Sequence, residues 1–179
     1  MVTIIFESHS TTFDNEKEIA SGYADAKLSP LGKKQAKQLG ERHKNEHFDV
    51  IFCSDLSRSY ETGEIAFEGK NVPIIKDKRL RECDYGDFTR DSSEKIKNSR
   101  KDYINIPFPN GESYIQTSQR MKSFLWDLLK DYNDKKVMII GHRATQYGLE
   151  HWIESLPLKE VVMAPWKWQP GWTYKLNKV

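Results

Sequence analysis

Short apolar segments alternate with helical segments along most of this chain, and this alternation limits the possible folds more than any other feature. Apolar runs of strand length occur at 2–6, 50–53, 72–75 and 137–140. Helical segments are predicted at 30–45, 55–67, 113–132 and 144–154. Strands that alternate with helices form βαβ units, whose parallel sheet is covered by helices on both faces. The sequence therefore predicts an α/β fold of three layers, α/β/α, with a mostly parallel central sheet.

Helix start signals agree with these boundaries. Ser29 is a good N-cap and Pro30 suits the first helical position. Ser54 or Asp55 is expected to cap the helix after the second strand. Ser113 opens the most regular helix, in which mostly apolar residues recur at steps of three and four positions. These residues are Tyr114, Ser118, Met121, Leu125, Leu128 and Tyr132.

The segment at about 76–112 differs from the rest of the chain. It is charged, contains Gly86 and Pro107, and has only a weak helical pattern near 93–103. A length of 179 residues fits one domain comfortably. We therefore interpret this segment as a cap or insertion within a single domain that spans residues 1–179. Residues 8–27 are expected to form a loop, and 172–176 an edge strand.

The charge balance excludes several classes of function. Lysine and arginine total 28 against 26 aspartate and glutamate residues, a net charge of +2. A nucleic-acid or membrane-surface protein normally shows a clear basic excess, and no apolar run is long enough to span a membrane. Glu7 interrupts the first apolar run too early for a signal peptide, and Cys53 and Cys83 make neither a disulfide framework nor a zinc site. We therefore expect a cytoplasmic protein without nucleic-acid or membrane partners.

Residues with catalytic potential follow the ends of the predicted strands. His9 follows the first strand, Ser54 the second and His142 the fourth. Arg58 falls in the first turn of the helix after the second strand, and Glu82 follows the third strand. Ligands of open parallel sheets bind outside the carboxyl ends of the strands. We therefore expect these residues to meet around one ligand.

This set of residues suits phosphoryl transfer. A neutral imidazole can attack phosphorus and later leave it, because its pKa lies near neutrality. An arginine fork matches two phosphate oxygens, and a helix N-terminus adds unpaired N–H groups. A carboxylic acid can protonate the departing alkoxide. Since none of these steps needs a metal or another cofactor, we predict a reaction that uses neither.

The residues at these positions resemble the motifs of a known family. The segment Ser8-His9-Ser10-Thr11-Thr12, with Asn15, resembles the Arg-His-Gly-x-Thr-x-x-Asn signature of the histidine phosphatase superfamily, which includes the cofactor-dependent phosphoglycerate mutases. Five further segments resemble motifs of this family, in the family's order, and they begin at Leu28, Ser54, Leu80, Pro109 and Gly141. The resemblance extends from about residue 2 to residue 154 and implies a phosphoglycerate mutase-like fold.

The resemblance also implies a role for each matching residue. His9 would be the nucleophile that becomes a phosphohistidine, and His142 would donate to the transferring phosphoryl oxygens. Arg58 would clamp the phosphate. Glu82 would protonate the leaving group, with Asp84 as the alternative acid. The other candidates for contact with phosphate or substrate are Ser8, Ser10, Thr12, Asn15 and Arg143.

Three departures from the family motifs affect the expected phosphate site. Ser8 stands where the family has arginine, Ser10 where it has glycine, and Arg143 where it usually has a small residue. The absent arginine removes a bidentate contact in which each hydrogen bond contributes about 1.5–3 kcal/mol. Our hypothesis is that Arg143 or Lys27 restores positive charge to the pocket. The alternative is that Arg143 points away and pairs with a carboxylate.

We therefore predict a phosphomonoesterase that hydrolyses a small phosphorylated substrate through a phosphohistidine at His9. Hydrolysis is favoured over mutase activity because the chain is short and its cap is small. Ser8 supports an alternative, a catalytically weakened relative that binds a phosphorylated ligand or a protein partner. The C-terminal tryptophans, among them Trp166, are expected to serve packing, and the alternative is that they roof the substrate pocket. The sequence indicates no oligomeric state.

Overall fold

The computed structural model describes residues 1–179 and contains one sheet of five strands. The strands are β1 (Val2–Ser8), β2 (Val50–Cys53), β3 (Ile74–Lys76), β4 (Lys136–Gly141) and β5 (Trp172–Leu176). They lie in the order β3-β2-β4-β1-β5, in which β5 is antiparallel to β1 and all other neighbours are parallel. The predicted α/β fold with a mostly parallel sheet is confirmed, and so is the edge strand.

Seven α-helices connect or follow the strands. They are α1 (Phe13–Glu16), α2 (Pro30–Arg42), α3 (Ser57–Ala66), α4 (Ser93–Ser99), α5 (Tyr114–Asp131), α6 (Arg143–Trp152) and α7 (Leu158–Met163). Short 3-10 turns occur at Lys78–Leu80, Gly86–Phe88 and Arg100–Tyr103. None of the helices combines the length and the apolar composition that crossing a membrane requires.

The helix starts follow from local capping in two of the three predicted cases. Ser29 and Ser113 cap α2 and α5, as expected, by accepting hydrogen bonds from backbone N–H groups three residues later. The prediction that Ser54 or Asp55 caps α3 is wrong, because Leu56 occupies the N-cap position. The Ser54 hydroxyl instead accepts from the Leu56 N–H at 3.2 Å, within the turn that leads into the helix.

Two helices lie where the sequence pattern predicts none. The segment 8–27, expected as a loop, contains α1, and α7 lies between the last predicted helix and the edge strand. The side chain of Thr12 accepts a hydrogen bond from the Asn15 N–H at 3.0 Å and so caps α1. A helix of four residues is too short to show an apolar period, so only its cap could have revealed it.

Side chains of the strands fill both faces of the sheet because successive residues point to opposite sides. Val2, Ile4 and Phe6 of β1 pack on the face covered by α5 and α6, whereas Ile5 packs on the face covered by α2 and α3. Helices α5 and α6 approach closely at Gly148, where a Cβ would lie 2.3 Å from Cγ of a methionine on α5. These contacts form the predicted three layers and leave the carboxyl ends of the parallel strands at one edge.

The segment between β3 and α5 packs with α5, α6 and α7 in a second buried cluster, rich in aromatic side chains. Phe108 stacks on Tyr103 with ring centroids 4.0 Å apart and contacts Tyr114 at the start of α5. Gly86 has a φ of +50°, and a Cβ there would lie 2.0 Å from the Pro109 carbonyl oxygen, so this turn requires glycine. The cluster holds Glu82 and α4 at the site that lies at the carboxyl edge of the sheet.

Candidate active site

The strand register brings the two predicted catalytic histidines together. Ser8 of β1 and Gly141 of β4 are paired at the ends of neighbouring parallel strands, so His9 and His142 follow side by side. The backbone N–H of His9 donates to the Gly141 carbonyl at 3.0 Å. The two imidazole centroids lie 5.0 Å apart. The sheet, rather than a loop, therefore sets the distance between the rings.

The imidazole of His9 has a defined tautomer. Its Nδ1 lies 2.8 Å from the Ser10 carbonyl oxygen, which can only accept a hydrogen bond, so Nδ1 carries the proton and Nε2 carries the lone pair. Burial lowers the pKa of His9 to about 3, and the positive charge of Arg58 acts in the same direction. His9 is therefore a neutral imidazole at neutral pH, the form that can act as a nucleophile.

His142 is the N-cap residue of α6 and is only 1% exposed. Neither of its ring nitrogens has a hydrogen-bond partner in the protein, and burial lowers its pKa well below the usual value, helped by Arg58 and His9. Its backbone N–H donates to the Thr145 hydroxyl at 3.0 Å, which in turn donates to the Leu80 carbonyl at 2.8 Å. Buried nitrogens without partners are costly, so the ring is suited to a polar ligand that reaches it beside His9.

Arg58 lies in the first turn of α3 and is 2% exposed. Its guanidinium donates to the carbonyl oxygens of Gly22 and Ala24 at 2.7 and 3.0 Å. Burial lowers the pKa of Arg58, and the negative charge of Glu82 opposes this shift; a guanidinium nonetheless stays charged in proteins. The loop after α1 thus fixes a permanent positive charge beside the histidines.

Glu82 lies on the loop between β3 and α4, where its Oε1 accepts the Cys83 N–H at 2.7 Å. Burial raises the pKa of the Glu82 carboxyl, although this N–H and the charge of Arg58 act in the opposite direction. A raised pKa favours the protonated form that can act as a general acid. The alternative acid, Asp84, accepts the Gly86 N–H at 3.0 Å and does not line the cavity described next.

A cavity of about 440 Å³ opens at this edge of the sheet. Five of the predicted residues line it, namely His9, Asn15, Arg58, Glu82 and Arg143. Trp166 of the C-terminal tail also lines the cavity, as the roof alternative requires. No group of three or more His, Cys, Asp or Glu side chains is arranged to hold a metal ion. His142 does not line the cavity and lies behind His9. The cavity thus combines the neutral imidazole of His9, a fixed cation and a protonatable carboxyl, which suits chemistry on a phosphate ester.

Three predicted contact residues, Ser8, Ser10 and Thr12, do not line this cavity. Ser8 belongs to the β1–β4 pairing, and the Ser10 N–H donates to the Thr62 hydroxyl at 3.0 Å. Thr12 is committed to the capping of α1, where its backbone N–H donates to the Asn15 side chain at 3.0 Å. These three residues therefore take part in strand pairing, backbone hydrogen bonding and helix capping. Motif matching alone does not reveal such structural roles.

The two cations considered as replacements for the absent arginine lie in different places. Lys27 pairs with Asp25 at 3.0 Å on the surface and does not line the cavity. Arg143 lines the cavity, while one of its Nη atoms donates to Gln146 at 2.8 Å and lies 3.9 Å from a Glu150 oxygen. The two alternatives for Arg143 were that it adds positive charge to the pocket or that it pairs with a carboxylate. Its side chain has both features, because it lines the cavity and lies near Glu150.

Two basic residues that line the cavity were not singled out by the sequence. Lys97 of α4 and Arg100 just after it belong to the weakly patterned cap segment. Their neighbour Ile96 is buried in the second cluster described above, which places this part of the segment beside the cavity. The sequence offered only one isolated apolar residue, Ile96, within a basic stretch. Such a residue does not show which way the neighbouring basic side chains point unless the fold is known.

The chain is similar in sequence and structure to known proteins. A model of the histidine phosphatase superfamily (branch 1) matches residues 4–167. Phosphoserine phosphatase 1 of Hydrogenobacter thermophilus is 33% identical over 150 residues, which are 79% of this chain and 71% of that protein. Probable phosphoglycerate mutase GpmB of Klebsiella pneumoniae is 32% identical over 165 residues, 88% of this chain and 77% of that protein. The structure of mycobacterial glucosyl-3-phosphoglycerate phosphatase has the same fold, with a TM-score of 0.80 at 23% identity over 89% of this chain and 85% of that one.

Proposed function

This chain belongs to the histidine phosphatase superfamily, and on that premise we propose that it hydrolyses a small phosphate monoester through a phosphohistidine on Nε2 of His9. The observation that carries the proposal is the neutral His9 ring, whose Nδ1 donates to a carbonyl oxygen. Arg58 and Glu82 line the same cavity as His9, and the His142 ring lies directly behind, 5.0 Å from the His9 ring. A histidine-type phosphatase needs a nucleophile, a phosphate clamp and an acid at one place, and these four residues supply them.

The proposed reaction has two steps that return every group to its starting state. Nε2 of His9 attacks phosphorus, the P–O ester bond breaks, and the protonated carboxyl of Glu82 gives its proton to the departing alkoxide. Water then attacks the phosphohistidine, Glu82 takes one of its protons, and the P–N bond breaks. Inorganic phosphate leaves, and His9 is again neutral.

The negative charge that develops on the phosphoryl oxygens needs donors on several sides. Arg58 presents a fixed guanidinium, and His142 presents a ring without a partner in the protein. Ser8 supplies no positive charge where the family motif has arginine. We infer that Arg58 carries most of the electrostatic stabilisation here, with Asn15 at the cavity wall as a further polar contact.

We favour hydrolysis over mutase activity because a mutase must keep water away from its phosphohistidine. The cavity here is walled on one side by the exposed Trp166 and Pro165, which belong to a tail rather than to a closed lid. Phosphatase and mutase names both occur among the relatives. A second candidate, a weakened relative that binds a phosphorylated ligand without turnover, is supported by Ser8 alone.

Hydrolysis of p-nitrophenyl phosphate tests the proposal directly. We expect turnover by the unmodified protein, also in the presence of EDTA, and a loss of more than a thousandfold in kcat for His9→Ala and His142→Ala. The matched control is His47→Ala, because His47 is exposed and lies outside the cavity. Enzyme denatured in alkaline detergent is expected to carry acid-labile phosphate that is absent from His9→Ala.

The outcomes separate the candidates. Turnover that survives His9→Ala contradicts the phosphohistidine. No turnover by the unmodified protein, combined with micromolar binding of a phosphate ester, supports the weakened relative. Phosphate transfer to an added alcohol or phosphoglycerate that exceeds transfer to water supports a mutase.

A further inference from the structure

The cavity carries more positive charge than the phosphate chemistry uses. Lys97, Arg100 and Arg143 line it in addition to Arg58, and Glu82 is its one acidic residue. The three additional cations come from α4, from the turn that follows α4 and from the start of α6. Elements that are distant in sequence thus deliver basic side chains to the same space.

The side chain of Tyr147 on α6 contacts two of these cations, Arg100 and Arg143. The guanidinium of Arg100 donates to the Tyr147 hydroxyl at 2.8 Å. The guanidinium of Arg143 lies over the ring of the same tyrosine, 4.6 Å from its centroid. Lys97 precedes Arg100 by three residues, and its carbonyl oxygen accepts a hydrogen bond from Nε of Arg100 at 3.4 Å. The positions of the two arginines are therefore fixed by one buried side chain.

Lys97 and Arg100 lack the carboxylate partners that other basic residues of the region have, and Arg143 has only a distant one. Lys95 pairs with Asp91 at 2.6 Å, and Arg81 pairs with Asp55 at 2.6 Å. Lys97 and Arg100 form no salt bridge. Arg143 has only the 3.9 Å approach to Glu150, and its buried Nε has no hydrogen-bond partner. Guanidinium groups held in this way are well suited to an oxyanion from a ligand.

We propose that Lys97, Arg100 and Arg143 form a second anion subsite, so that the substrate is a phosphate monoester that carries a second anionic group, a carboxylate or a second phosphate. This inference rests on the proposed function, because it assumes that the first phosphate lies at His9 and Arg58. The side chains of Ile96 and Trp166, which also line the cavity, provide apolar contact for a short carbon body between the two anions. An ester whose phosphate is its only anionic group leaves three cations without a partner and is expected to react more slowly than one that carries a second anion.

Matched pairs of esters test the subsite. Phosphoserine and phosphoethanolamine differ by one carboxylate, and propane-1,3-diol bisphosphate and propyl phosphate differ by one phosphate. We expect kcat/KM of the unmodified protein to favour the doubly anionic member of at least one pair by tenfold or more, and the preferred pair identifies the second anion. In Arg100→Gln and Arg143→Gln this ratio is expected to fall to within about threefold of unity. Lys101→Gln, a neighbouring change outside the cavity, is expected to keep the full ratio.

Binding keeps this test independent of the proposed reaction. The same four compounds are titrated calorimetrically into His9→Ala, with and without Arg100→Gln. A tenfold preference that disappears with Arg100→Gln supports the subsite even if the unmodified protein hydrolyses none of the esters, a result that contradicts only the proposed function. The subsite is contradicted if neither pair shows a preference, or if Arg100→Gln weakens both members of a pair equally, because the cations then act only as a general positive field.

Discussion

The imidazole centroids of His9 and His142 lie 5.0 Å apart because Ser8 and Gly141, which precede them, are paired residues of two parallel strands. A sheet register is hard to change, since a slip by one residue would turn every side chain of the strand to the opposite face. The two rings are therefore held in contact with each other, while α3 supplies the charge of Arg58 and the loop after β3 supplies the proton of Glu82. We expect variation in substrate among such proteins to come from the loops.

The low pKa values of the two histidines predict an unusual pH dependence. Burial lowers the pKa of His9 to about 3 and lowers that of His142 well below its usual value. The acid limb of kcat/KM is therefore expected below pH 5, whereas unperturbed histidines would place it near pH 6.5. A pH–rate profile with p-nitrophenyl phosphate between pH 4 and 9 shows whether kcat/KM already falls near pH 6.5 or stays level down to pH 5. An acid limb near pH 6.5 contradicts the neutral pair.

The free energy of unfolding should also depend on pH through the buried ring of His142. Below about pH 6.5 the unfolded chain protonates its histidines, while folded His142 stays neutral, so the unfolded state binds more protons. The stability that His142 contributes is therefore present above pH 6.5 and is lost as the pH falls below it. Urea unfolding at pH 7, 5.5 and 4 should show a smaller decrease in the free energy of unfolding for His142→Gln than for the unmodified protein. His47→Gln, an exposed change, should keep the unmodified slope.

The fold was predictable from the sequence because the apolar runs of β1, β2 and β4 and the period of α5 are long enough to be distinctive. Strand ends then placed His9 and His142 together without further information. The contribution of α4 was not predicted, and the sequence left the tail open between packing and roofing of the pocket, because Lys97 and Trp166 belong to segments without a clear period. The placement of Lys97 depends on the packing of its neighbour Ile96 in the aromatic cluster around Phe108, and Trp166 stacks on Trp172 of the edge strand.

Replacing Arg58 with lysine should impair catalysis even though the positive charge is preserved. Lysine keeps the positive charge but cannot maintain the carbonyl bonds to Gly22 and Ala24 while contacting two phosphate oxygens. Hydrogen bonds to charged groups contribute about 1.5–3 kcal/mol each, so kcat/KM for p-nitrophenyl phosphate should fall by about a hundredfold or more. Arg90→Lys, outside the cavity, serves as the control. A loss within threefold would show that the fork is not used.

Replacing Glu82 with glutamine should affect esters according to their leaving groups. The amide keeps the size of the carboxyl but cannot donate a proton to an alkoxide. For an alkyl phosphate kcat is expected to fall by about 10²–10⁴, whereas p-nitrophenyl phosphate, whose leaving group needs no proton, should lose much less. Asp84→Asn is the matched control, because Asp84 lies two residues away and outside the cavity. Equal losses with both esters, or the same loss with Asp84→Asn, would exclude Glu82 as the acid.

Arg120 of α5 is expected to act through Glu82. Its guanidinium donates to the carbonyl oxygens of Arg79, Arg81 and Glu82 at 2.7, 2.9 and 2.7 Å, and it also pairs with Glu112 at 3.0 Å. Lysine has too few donors to hold all of these groups, so Arg120→Lys should loosen the loop without removing the charge. We expect kcat for an alkyl phosphate to fall by about tenfold to a hundredfold with a small change in KM.

A double-variant cycle distinguishes this positioning role from a general loss of structure. If Arg120 acts only by holding the carboxyl of Glu82 in its buried position, Arg120→Lys should cause no further loss of kcat in the Glu82→Gln background. In the single variant the basic limb of kcat should move to lower pH, because a less buried Glu82 loses part of the pKa rise that burial causes. Equal losses in both backgrounds, with an unmoved limb, would mean that Arg120 supports the fold and not the acid.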